Sequence, residues 1–197
     1  MNDYDEAVFN ISHMALNGRT ALEVGLPAPT AVTRQSVVPV ATWSDANFGA
    51  VLFLLYSSRD DGSVSPSVIR GVFRRGEHGY SPLANWSGSG WSHDPLAVEG
   101  SVADLADRAI YLGGGSSTYE PRDGEPALVL NGRHSTQVTS ITLIQGNATT
   151  TNPASGHWGA WIACVAKWAP YAIEARGRDG VLLGRLEGPQ NVSHRKP

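Results

Sequence analysis

Tyr171-Ala172-Ile173-Glu174-Ala175-Arg176-Gly177-Arg178-Asp179-Gly180-Val181-Leu182-Leu183-Gly184-Arg185-Leu186 carries the pattern of a β-hairpin. Tyr171, Ile173 and Ala175 alternate with Ala172, Glu174 and Arg176, the period of two that sends successive side chains to opposite faces of a strand. Gly177-Arg178-Asp179-Gly180 then closes the strand into a hairpin, and Val181 to Leu186 is the return strand. Working upstream, Ala127 to Leu130, Val138 to Ile144 and His157 to Ala166 are further strand candidates, each bounded by Gly, Pro, Asn or Asp. Several short strands at this spacing predict a small antiparallel sandwich.

The first half reads differently. Val37, Val38 and Val40 open a strand, and Ala50-Val51-Leu52-Phe53-Leu54-Leu55-Tyr56 is a continuous apolar run, the pattern of a strand buried on both faces. Asp60-Asp61-Gly62 marks a turn. In the strand from Val68 to Arg74, Ile69 and Phe73 alternate with Arg70 and Arg74, which predicts one wet face. Two helices are expected. Residues 3–17 carry Val8, Ile11 and Met14 near helical spacing between a capping Asp3 and Gly18. Residues 101–112 open with Ser101 and Asp104 as a capping pair and end before Gly113-Gly114-Gly115. The fold class is therefore mainly β with two helices (α+β), an antiparallel first half packed on a C-terminal immunoglobulin-like sandwich. Its segments are an N-terminal helix and extended arm (1–35), an α+β half (36–115), a sandwich half (124–190) and a disordered tail (191–197).

Composition supports many short strands. The 197 residues include 22 Gly, 12 Pro and 30 Ser plus Thr, so the chain is punctuated at short intervals. A chain of this mass buries about 70% of its unfolded surface, enough for a core without disulfide or metal staples. Charged residues are only 17%, below the roughly 25% of a typical domain. A net charge of -3 argues against nucleic acid as a partner, because phosphate neutralisation dominates that affinity. The single Cys164 lies among Ile162, Ala163 and Val165, which predicts an inert buried thiol and suits a reducing cytoplasm. The acidic start Met1-Asn2-Asp3-Tyr4-Asp5-Glu6 lacks the form of a secretory signal, and the run from Ala50 to Tyr56 is too short to span a bilayer.

Two frames of the chain resemble, in order, a group of actinobacterial hypothetical proteins. The first is the apolar strand from Ala50 to Tyr56, then Val72-Phe73-Arg74-Arg75 and Asn85-Trp86-Ser87-Gly88-Ser89-Gly90-Trp91. The second is Gly156-His157-Trp158-Gly159-Ala160-Trp161, Ala172-Ile173-Glu174-Ala175-Arg176 and Asp179-Gly180-Val181-Leu182-Leu183-Gly184, which looks like the last three strands of an immunoglobulin-like sandwich. The resemblance implies a fold and no activity.

The chemistry-bearing candidates are few. The Gly/Ser-rich segment 80–94, read as a loop, holds Tyr80, Trp86 and Trp91 beside His93 and Asp94, so it offers flat aromatic faces with polar neighbours, as ligand sites do. The plainer reading is that both Trp close the end of a sheet. His93-Asp94 are sequence neighbours, which point apart on a strand, and no Gly-X-Ser-X-Gly elbow supplies a nucleophile. The six His are scattered without zinc spacing, and the acidic loops at 60–63 and 120–125 lack the oxygen ladder calcium needs. Trp158 and Trp161 are an odd number apart, so one should be core and the other a candidate interface residue, alongside Val8, Ile11 and Met14.

From these residues the expectation is a non-enzymatic cytoplasmic binding or interaction protein, without cofactor or metal, associating with a protein partner or with itself. A carbohydrate or small-ligand module using segment 80–94 is the alternative, and a hydrolase using His93 or His134 comes third.

Overall fold

The computed structural model describes residues 37–58, 64–77, 79–88, 109–117, 126–154 and 159–188. The described residues are built from antiparallel β-sheet, and none of them is in an α-helix. Strands β1 (Val37–Ser44), β2 (Phe48–Ser58), β3 (Val64–Gly76) and β4 (Gly79–Gly88) form a four-stranded meander with the curvature of a half-barrel. Strands β5 (Ile110–Ser117), β6 (Leu128–His134) and β9 (Ala160–Val165) make a three-stranded sheet in the order β5-β6-β9. The third sheet runs β11-β10-β7-β8, from β7 (Ser140–Gln145), β8 (Ala148–Pro153), β10 (Tyr171–Arg176) and β11 (Leu182–Glu187).

The middle sheet explains how one core serves all three. Every residue of β9 is buried, as is every residue of β6 after Leu128, although strands facing water on one side alternate in burial. One apolar cluster joins Val40, Trp43 and Leu52 of the meander to Val129, Trp161 and Ile162 of the middle sheet and Ile141 and Ile173 of the third. As the continuous run predicts, β2 is buried on both faces from Ala50 to Phe53.

The hairpin expected over 171–186 is present. β10 covers Tyr171–Arg176 as expected and pairs with β11 through Gly177 to Val181, where Asp179 and Gly180 both take positive φ, 66° and 74°. Those angles are why an Asp-Gly pair sits here.

Four expectations need correction. The proposed helix at 101–112 is not helical at its described end, because Ile110-Tyr111-Leu112 begin β5 and pair with β6. The local pattern permits either state, and the available backbone partner decides it. Residues 101–108, like the helix expected at 3–17, lie outside the described residues. Segment 80–94 is not a loop at its start: Tyr80 to Gly88 form most of β4. Its proline is tolerated because β4 is an edge strand and the ladder slips between Val72 and Phe73 beside Pro82 and Leu83. Arg70 does not face water, being 3% exposed, because β6 brings Asn131 against it. Finally, β8 goes beyond the strands expected; Gly146 at φ 59° makes the short β7–β8 turn, and Thr149 to Thr151 supply the β-branched strand.

Candidate interaction surface

Most described polar residues of interest are committed to holding the layers together. Arg70 Nε donates to Asn131 Oδ1 at 2.6 Å, tying the meander to the middle sheet, and burial lowers the pKa of the Arg70 guanidinium. Asn152 of β8 reads both backbone groups of Ser44: its Oδ1 accepts from Ser44 N at 2.9 Å and its Nδ2 donates to Ser44 O at 2.9 Å. Through this side chain the third sheet continues the hydrogen bonding of β1. Trp161 Nε1 donates to Tyr111 O at 3.1 Å beneath β5. Burial, with a smaller contribution from the Asp45 carboxylate, pushes the Cys164 thiol well above the ordinary thiol range, so the thiol is held protonated in the core.

The residues singled out from sequence are dispersed. Tyr80 is half-buried with Arg75 over its ring at 5.9 Å, and its hydroxyl is enclosed without a hydrogen-bond partner among the described residues. Trp86 stands opposite Arg70 and Tyr80 opposite Arg75 on β3, with a bulge between those positions. Trp91, His93, Asp94 and Trp158 lie outside the described residues, as do Val8, Ile11 and Met14. Trp161 is 2% exposed and sits in the core cluster.

The surface that does stand out lies where two edge strands meet. Gly184 of β11 packs against Ala109 and Ile110, a Cβ there falling 3.2 Å from atoms of each. Flanking that crossing, Tyr111 and Leu112 leave along β5 while Val181 and Leu182 enter β11, and all four are exposed. Beside them on the outer face of the third sheet runs a charge ladder. Glu174, nearly buried, accepts from Arg176 Nη2 at 2.5 Å and from Arg185 Nη1 at 2.6 Å, and Arg185 Nε reaches Glu187 Oε1 at 3.0 Å. Arg185 and Glu187 also rim an open pocket of about 230 Å³ whose floor includes Tyr171 and Ala172. Burial raises the Tyr171 phenol above its ordinary value.

Arg185 and the exposed apolar positions of β5 and β11 were missed from sequence. The available signal was Val181-Leu182, an apolar pair directly after a turn. Among the described residues no group of three or more His, Cys, Asp or Glu converges as a metal site would require. No protein-family model, no curated protein and no solved structure matches the chain.

Proposed function

We propose that this chain is a non-enzymatic binding protein that associates with protein through its β5–β11 side. The observation that carries the reading is that four large apolar side chains, Tyr111, Leu112, Val181 and Leu182, are exposed within three residues of the point where Gly184 of β11 packs on Ile110 of β5. Single exposed apolar residues are ordinary, whereas several near strands that are outermost among the described residues are what interaction surfaces use. The commitment of Arg70, Asn131, Glu174 and Cys164 to structural roles also favours binding over catalysis.

We further propose that β5 to β11 form an immunoglobulin-like sandwich. Lettered A to G in chain order, they run A-B-E in one sheet and G-F-C-D in the other. The constant-type arrangement keeps D beside E, so this version differs by moving one edge strand across.

The test is the Tyr111→Ser, Val181→Asp, Leu182→Asp variant of the full chain, compared with the native chain by sedimentation and by cross-linking coupled to mass spectrometry. The expected result is loss of association with unchanged circular dichroism and thermal midpoint. Unchanged association would overturn the reading.

A further inference from the structure

The kind of partner can be read at β11, and this step rests on the interaction reading above. Among the described residues β11 is the outermost strand of its sheet. The N–H of Gly188 donates to Tyr171 O at 2.9 Å, which makes that pair a hydrogen-bonded one. By the alternation of an antiparallel ladder, Leu186 and Gly184 then also spend their backbone groups on β10, and those of Arg185 and Glu187 turn outward. The two outward-turned residues carry opposite charges on the same face of the sheet.

We propose that β11 pairs antiparallel with β11 of a second copy of this chain, about a two-fold axis at Leu186. Register selects the axis. Centring on Arg185 would set it against Arg185 of the partner subunit, and centring on Glu187 would oppose two carboxylates. Centring on Leu186 places each Arg185 opposite Glu187 of the partner subunit, twice by symmetry. The same register makes both Arg185–Glu187 pairs hydrogen-bonded ones, so the outward N–H and C=O groups are mutually satisfied. The two Leu186 residues become a close pair at the axis, with Cα atoms about 4.5 Å apart. Charged residues ordinarily protect an edge from pairing. Here they are self-complementary in one register, so the edge discourages other strands while admitting its own copy.

The experiment is sedimentation equilibrium of the full chain over a concentration series. Pairing through one short strand predicts a dimer with a dissociation constant of about 1 µM to 1 mM, weakening as salt is raised. Glu187→Arg, an exposed substitution, places like charges opposite each other at both positions and should weaken the dimer at least about tenfold. Leu186→Cys should trap a disulfide-linked dimer under mild oxidant, because residues at the axis fall within bridging distance; the native chain, whose thiol is buried, is the control. A chain that stays monomeric, or a dimer indifferent to Glu187→Arg, overturns the pairing. A dimer that survives Glu187→Arg but is lost on the apolar triple substitution refutes β11 pairing and leaves the β5–β11 surface standing. The reverse pattern supports the pairing and shows that the β11 edge, not the four apolar side chains, carries the association.

Discussion

Gly132→Ala should unseat β5 and with it the seam of the proposed surface. Gly132 lies in β6, opposite Leu112 on one side and Trp161 on the other. A Cβ built there comes 1.9 Å from the Tyr111 carbonyl oxygen and 2.7 Å from Trp161 Nε1. Both are the atoms of the hydrogen bond that fastens β5 to the core. Real Cβ contacts stay beyond about 3 Å, so the Tyr111 carbonyl must retreat by about 1 Å, and a backbone atom in a paired strand cannot do so alone. The loss combines that hydrogen bond, about 0.5–1.5 kcal/mol, with overpacking strain of about 1–3 kcal/mol, giving about 1.5–4.5 kcal/mol. Urea unfolding of native and variant chains measures it, with Trp emission reporting the displaced indole. The control is Gly113→Ala, whose Cβ meets its nearest neighbour at 3.4 Å in an exposed position and should cost far less. If Gly132→Ala fell within about 0.5 kcal/mol of the native chain, the close approach of β5 would be wrong.

Three other outcomes follow from the geometry. Asn152→Ala removes two hydrogen bonds to the Ser44 backbone and should cost about 1–3 kcal/mol in urea unfolding, whereas Thr149→Ala on the exposed part of β8 should cost much less. Asn131→Ala leaves the Arg70 guanidinium without its 2.6 Å acceptor and should cost about 2–3 kcal/mol; a double-mutant cycle with Arg70→Met should recover part of that as coupling, and strict additivity would refute the bridge. The Cys164 thiol, its pKa raised on folding, keeps its proton where the unfolded chain loses it. Its contribution is therefore intact below the ordinary thiol value of about 8.5 and declines as pH rises above it, at up to about 1.4 kcal/mol per pH unit. Cys164→Ala should flatten that alkaline decline, and an unchanged slope would count against a fully buried thiol.

Strands whose signal is local were legible. Tyr171 to Arg176 alternates and is followed by Asp179-Gly180, and both features concern only neighbouring residues. The apolar run at Ala50 to Phe53 likewise announces burial on two faces. What misled were segments whose state depends on a distant partner. Ile110-Tyr111-Leu112 fits the end of a helix until β6 offers a ladder, and Tyr80 to Gly88, with its proline, fits a loop until β3 does. The proposed surface was hidden for the same reason: Tyr111 and Leu182 are far apart in sequence, and their strands meet where Gly184 packs on Ala109 and Ile110.

Turn chemistry and side-chain alternation act within a few residues, so a chain this punctuated and poor in charge already reads as short antiparallel strands. That Arg70 is buried while Val181 and Leu182 are exposed follows from long-range packing instead. Burial belongs to a residue's neighbours across the fold: β6 arrives over Arg70 with an acceptor, and no described strand arrives over the outer edge of β11.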